Sequence, residues 1–137
     1  MESGSASDII RYRLEQADTA LADGQYLLDG RRSPQSVANR AYYAMFYATL
    51  ALLQSAGRVP TKHAGVISLF DTEFVQRGVF PTALSRDLHR AFEQRLKSDY
   101  RVTGEPSLEQ ARDLVARAAA FVAAVKLHFA ATKPTDN

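Results

Sequence analysis

The sequence predicts an all-α fold, an antiparallel up-and-down bundle of four to five helices, from three observations. Apolar residues recur at spacings of three and four along several long segments. No segment alternates apolar and polar residues between hairpin turns, as half-buried strands do. The connections between the segments are short, which favours antiparallel neighbours. We therefore expect one helical domain over residues 8–131, with flexible ends at residues 1–7 and 132–137.

The first two predicted helices include the one that should lie at the centre of the bundle. The first covers residues 8–29, and we expect Gly30 to end it in a left-handed conformation. The second opens with Ser33 as N-cap and Pro34 in the first turn, and it continues to Leu53. Because this segment is apolar nearly all round, it should pack against neighbours on several sides.

Three further helices follow. The third begins at Thr61 or Lys62, and the fourth begins at Pro81. The fifth follows Ser107, whose spacing from Gln110 is that of a capping box. Each of the three carries apolar residues at helical spacing, so each should bury one face.

The composition excludes several classes of site. The chain has 137 residues and no cysteine, which rules out disulfides, thiolate zinc sites and cysteine nucleophiles. It has no glycine-rich phosphate loop, and its three histidines are far apart in sequence, so we expect neither a metal nor a cofactor. The absence of cysteine fits a reducing compartment, and we expect a cytoplasmic protein.

The charge and hydropathy patterns narrow the choice of partners. A formal net charge of +2 is too small to require a polyanionic partner, so only a local cluster can argue for one. The longest nearly unbroken apolar stretch, residues 41–53, is shorter than the roughly 20 residues that a membrane helix needs. We therefore interpret it as a buried helix, with no membrane as partner.

Two segments bring polar groups to apolar helices. Asn39 and Tyr43 are four residues apart on the second helix and share one face. Tyrosines of this helix can simply pack in the core with their hydroxyls bonded to a neighbour, but a buried asparagine requires a specific partner. At the start of the third helix, Lys62 and His63 adjoin free amides that suit an anion, and a histidine there can exchange protons near neutral pH.

The end of the fourth helix carries the densest basic cluster. Arg95 and Asp99 are four residues apart and can pair, and Lys97 lies between them. An inward-facing arginine offers a rigid fork for phosphate, and Tyr100 can stack on a base. An ordinary solvated helix end, with its cations placed favourably for the helix dipole, explains the same residues.

Three segments, taken in order, resemble the HEPN family. They are residues 39–46 (NRAYYAMF), 62–70 (KHAGVISLF) and 95–100 (RLKSDY), and the likeness is greatest to short prokaryotic members. The resemblance implies a homodimeric bundle with a cleft where the second helix meets the end of the fourth. It also implies relatives that are metal-independent RNases or toxins, often encoded beside a nucleotidyltransferase that acts as antitoxin.

The sequence departs from the motif of those RNases. In them, an arginine and a polar residue are followed by a histidine four to six residues after the arginine. Arg95 takes the arginine's place, but Tyr100 stands where the histidine is expected, and tyrosine is a poor general base at pH 7. His63 or His89 can substitute only if the fold or the dimer brings it to Arg95. In the nucleotidyltransferase-paired toxins, a tyrosine just beyond the histidine is modified with AMP, and Tyr100 lies near that place but not in it.

Two interpretations of the cluster stay open. In the first, the chain is a nucleotide- or RNA-binding HEPN domain of a toxin–antitoxin-like pair, with RNA cleavage undecided. Arg95 then holds phosphate, Asp99 orients Arg95, Tyr43 and Tyr100 stack on the base, and Asn39 binds the ligand or fixes Arg95. In the second, the chain is a non-catalytic dimeric interaction module. The candidate catalytic residues are Arg95, Asp99 and Tyr100, and the candidate binding residues are Asn39, Tyr43, Lys62, His63 and Lys97.

Overall fold

The computed structural model describes residues 5–99 and 105–132 of the protein, and these residues contain five α-helices. No residue within those ranges lies in a β-strand, and the all-α prediction is confirmed. A π-helical turn, Asp71–Val75, directly follows the third helix. The α-helices are α1 (Ala6–Asp29), α2 (Pro34–Ser55), α3 (His63–Phe70), α4 (Thr82–Asp99) and α5 (Leu108–Thr132).

The helix α1 ends at Asp29 as predicted, but its start and the left-handed residue that follows it differ from the prediction. The helix begins two residues before the expected Asp8, because the Ser5 hydroxyl accepts a hydrogen bond from the amide of Asp8 at 3.2 Å. The left-handed residue at the other end is Arg31, with φ of 56°, and the prediction for Gly30 is wrong. The amide of Arg32 bonds to the carbonyl of Leu27, and this closure requires the left-handed conformation one residue after Gly30.

The predicted central position of α2 is confirmed. Its N-cap is Ser33, whose hydroxyl accepts from the amide of Ser36 at 3.1 Å. The helix packs against α1, α3, α4 and α5, which explains why its apolar residues surround it. Gly24, buried near the C-terminal end of α1, lets α1 and α2 approach each other closely. A Cβ added there would lie 3.3 Å from the Cβ of Arg40 on α2.

The predicted third helix is interrupted. Its α-helical part ends at Phe70, and the amide of Gln76 then bonds to the carbonyl of Asp71, five residues back. The side chain of Asp71 accepts hydrogen bonds from Ser85 Oγ at 2.6 Å and from His89 at 2.7 Å, both on α4. The π turn therefore lies where side-chain hydrogen bonds join the end of α3 to α4.

The fifth helix completes the core. Ser107 and Gln110 bond reciprocally at 2.9 and 3.0 Å, so the predicted capping box is confirmed. By length and composition alone, α5 is apolar enough to cross a membrane, which we did not predict from its sequence. The core helix of a soluble protein passes the same test. One face of α5 is buried in the bundle, through Ala111, Leu114, Val115, Ala118, Phe121, Val122 and Val125.

Candidate functional site

The polar and aromatic candidates meet where the first half of α2 faces α4. The guanidinium carbon of Arg95 lies 5.7 Å from the ring centroid of Tyr42 and 5.7 Å from that of Tyr43. Tyr42 is fully buried and Tyr43 partly buried, so α4 presents this arginine to the aromatic face of α2. Both distances fall within the range of cation–π attraction.

A second arginine lies at the same ring. The guanidinium carbon of Arg40 is 5.2 Å from the centroid of Tyr43. Arg40 donates to the side-chain oxygen of Asn39 from Nε at 3.2 Å and from Nη2 at 2.9 Å. Asn39 therefore holds Arg40, whereas the sequence analysis assigned it to the ligand or to Arg95. Two guanidinium groups on one tyrosine make this an electropositive point on the surface of the bundle.

Both arginines line a cavity of about 540 Å³ between α2 and α4, which we call the phosphate cavity. Hydroxyl and amide groups supply the rest of its polar wall. Such a set of charged forks and neutral donors suits a phosphate group. The polar lining residues are Ser33, Gln35, Ser36, Asn39, Arg40, Gln94 and Arg95.

His63, the first residue of α3, is joined to the same aromatic group. Its Nδ1 lies 2.7 Å from the hydroxyl of Tyr42, and its ring stacks on Phe46 with centroids 4.2 Å apart and planes at 14°. Burial raises the pKa of Tyr42 above its ordinary value, although the charge of Arg95 lowers it in part. The hydroxyl therefore stays protonated at neutral pH and can share one hydrogen bond with the imidazole.

A second cavity, of about 310 Å³, lies beside His63, and we call it the aromatic cavity. Tyr43 connects the two cavities, because it lines this one and carries the two arginines of the other on its ring. Aromatic residues and two cations from α1 and the α2–α3 loop dominate its lining. These are Arg13, Tyr43, Phe46, Tyr47, Arg58 and His63.

The remaining candidates lie elsewhere or outside the described residues. His89 bonds to Asp71, so His63 is the histidine that shares the tyrosines with Arg95. Lys62 is exposed, and its side chain makes no capping bond. Lys97 is exposed and lines a different cavity, of about 490 Å³. The side chain of Asp99 and all of Tyr100 lie outside the described residues, so their roles stay predictions.

Sequence reasoning missed the part played by Arg40 and the hydrogen-bond partner of Tyr42. For Arg40 a signal was present, since it stands three residues before Tyr43 and so shares its helix face. For Tyr42 the sequence predicts the packed ring and its bonded hydroxyl but not the partner, because His63 is 21 residues away and meets Tyr42 only through packing.

The described part of the chain is therefore a bundle of five α-helices, and the arginines and tyrosines that meet between α2 and α4 form an electropositive cleft. The model of the HEPN domain matches residues 10–128, and the chain therefore belongs to the HEPN family.

Curated relatives agree with the family assignment. A "UPF0332 protein" of Thermotoga maritima is 36% identical over 86% of this chain and 89% of its own length. Two proteins of Methanocaldococcus jannaschii bear toxin names. "Putative toxin MJ0605" is 34% identical over 85% of this chain and 86% of its own length. "Putative toxin MJ0142" is 30% identical over 80% of this chain and 74% of its own length.

Proposed function

We propose that the protein is the toxin-like member of a toxin–antitoxin-type pair and that it binds the phosphates of RNA or of a nucleotide at the phosphate cavity. The observation that carries the proposal is the convergence of Arg40 and Arg95 on Tyr43, beside a cavity lined by further donors. Arginine forks bind phosphate oxygens in pairs, and a ring beneath them holds the forks in place. The toxin names of two relatives support the toxin-like role.

The proposal includes the partners that the family resemblance implies. The chain forms a homodimer in the cytoplasm, and a nucleotidyltransferase serves as antitoxin. The domain extends over the helices from α1 to α5, whose contacts form one buried core.

Cleavage of RNA is a second candidate function, favoured by the position of His63. The 2′-hydroxyl of a bound nucleotide would attack its own 3′-phosphorus and lose its proton to a base, while the bond from phosphorus to the next 5′-oxygen breaks and that oxygen gains a proton. Arg95 and Arg40 would stabilise the charge that develops on the phosphoryl oxygens. His63, which contacts both tyrosines that Arg95 contacts, is the described group best suited to move the proton.

The first test is Arg95→Ala, with Arg86→Ala as the matched control because Arg86 is exposed on the same helix. Loss of a charge-assisted pair should weaken binding of single-stranded RNA by roughly 10-fold or more. It should also flatten the salt dependence, since a phosphate contact is lost. Fluorescence anisotropy at two salt concentrations measures both effects. Equal affinities for the two variants would contradict the proposal.

The same variants separate the proposal from a non-catalytic interaction module. In that alternative, Arg95→Ala would weaken the dimer in sedimentation velocity, and the wild-type chain would bind no RNA. Growth arrest on expression, relieved by Arg95→Ala or Tyr100→Phe, would favour the RNase. Harmless expression of the wild-type chain would count against it.

A further inference from the structure

The aromatic cavity offers surfaces that the phosphate cavity lacks. Tyr43, Tyr47 and His63 place rings in its wall, and Gln54 and Thr61 add hydrogen-bonding groups. Its volume of about 310 Å³ is at the lower end of the range that small-molecule sites occupy, about 300–1,000 Å³. A single flat group with a polar edge matches both its size and its lining.

Tyr47 is the ring best placed to receive a stacking partner. Tyr43 already carries Arg40 and Arg95 on its ring. Tyr47 is partly exposed and is supported by its neighbours, with its centroid 5.7 Å from that of Tyr43 and 6.2 Å from that of Phe46. A ring held in this way loses little conformational freedom when another ring stacks on it.

The charges around the aromatic cavity favour an anionic ligand. Arg13 on α1 and Arg58 in the α2–α3 loop both line it, and the side chain of Arg58 is 53% exposed. The carboxylate of Glu73 lies 3.5 Å from the guanidinium of Arg58, a loose ion pair that a phosphate can replace. Through Tyr43 these cations continue the electropositive surface that begins at Arg95.

From these features we propose that the aromatic cavity binds the base of an unpaired nucleotide whose neighbouring phosphate lies in the phosphate cavity. This inference rests on the proposed function. The base stacks on Tyr47, its edge meets Gln54 and Thr61, and Arg58 faces the next phosphate along the strand. Only a strand whose bases are free to leave the stack can use the cavity, so the ligand is single-stranded RNA rather than a duplex. Stacking requires only a π face, so several bases are accepted.

The test compares two unlabelled tetranucleotides as competitors for a labelled single strand. One is tetraadenylate, and the other has the same backbone without bases. Wild-type protein should prefer the first by roughly 5- to 150-fold for each stacked base. Tyr47→Leu should bring this preference close to one, while Tyr47→Phe, which keeps the ring, should retain it. Tyr26→Leu is the matched control, because Tyr26 is 78% exposed on α1 and lines neither cavity.

A second variant guards against misfolding of Tyr47→Leu. Gln54 is partly exposed at the end of α2, and Gln54→Trp should fill the cavity and abolish the preference without removing a core ring. If Tyr47→Leu and Gln54→Trp fold and still prefer tetraadenylate over the abasic strand, the proposed base site is wrong. Loss of RNA binding in Arg95→Ala would in that case still support the proposed function. A wild-type chain that binds neither tetranucleotide overturns both.

Discussion

Among single residues, Tyr42 connects the core of the bundle to the candidate site. Its ring is fully buried, its hydroxyl meets His63 at 2.7 Å, and the guanidinium of Arg95 lies over the ring. The sequence predicts a packed tyrosine with a bonded hydroxyl at this position, which is what the structure shows. It does not identify the partner, because that depends on where α3 lies against α2.

Removal of the Tyr42 hydroxyl should have an effect that depends on pH. Burial raises the pKa of Tyr42 in the folded chain, so above the unfolded value of about 10 the unfolded chain loses a proton that the folded chain keeps. This tyrosine's contribution is therefore complete below about pH 10 and is lost above it, by up to about 1.4 kcal/mol per pH unit. Tyr42→Phe should lower the free energy of unfolding by about 1 kcal/mol at pH 7, through the lost hydrogen bond. This deficit should shrink or reverse near pH ~11.

Urea unfolding followed by circular dichroism at the two pH values checks this expectation. Tyr26→Phe is the control, because Tyr26 is exposed on α1 and its replacement should leave the pH dependence of stability as it is in the wild type. A deficit for Tyr42→Phe that stays constant from pH 7 to pH ~11 would show that Tyr42 ionises alike in both states.

Within the helices, the caps at the starts of α2 and α5 were predictable, and the cap at the end of α1 and the π turn were not. Ser33, Ser107 and Gln110 act as their spacing predicts, because capping bonds are local to the chain. The first residue of that turn, Asp71, bonds through its side chain to Ser85 and His89, which are 14 and 18 residues further on. No local pattern signals a bond of that span.

Asp71→Ala should loosen the junction between α3 and α4. Two half-buried groups, the Ser85 hydroxyl and the His89 imidazole, would lose their acceptor, and we expect a fall of about 1–3 kcal/mol in the free energy of unfolding. Urea denaturation of this variant beside Asp23→Ala, which removes an exposed carboxylate from α1, provides the measurement. Equal stabilities would mean that the carboxylate does not stabilise the π turn.

At the scale of the whole molecule, the arrangement around α2 follows from the sequence. An apolar surface on every side requires neighbours on every side, and four helices supply them. The pairing of residues across helices does not follow, since Arg40 and Arg95 are brought to one ring only by the way α4 packs on α2. The fold could therefore be predicted almost completely. The meeting of α2 and α4 at the candidate site was implied by the family resemblance, but the placement of Arg40 and Arg95 on one ring could not be predicted.

Removal of a central aromatic ring from the core should lower the stability of the whole domain. Phe121 on α5 is fully buried, with its ring 5.4 Å from that of Phe70. Phe121→Ala should lower the free energy of unfolding by about 3–5 kcal/mol, a large share of the 5–15 kcal/mol that is usual for a domain. Leu127→Ala, at a position on the same helix that is 71% exposed, should change it by less than about 0.5 kcal/mol. Thermal melts of both variants give the comparison, and similar melting temperatures would contradict the assignment of the core.

Because α1 approaches α2 closely at Gly24, a substitution at this buried position would affect the position of Arg40 in the candidate site. A methyl group there would lie 3.3 Å from the Cβ of Arg40, close enough to displace that residue by a few tenths of an ångström. Alanine also favours the helix over glycine by roughly 1 kcal/mol, which acts against the cost of the crowding. A change deep inside the bundle can thus alter the distance between two cations on the surface, without any substitution among the residues that line the phosphate cavity.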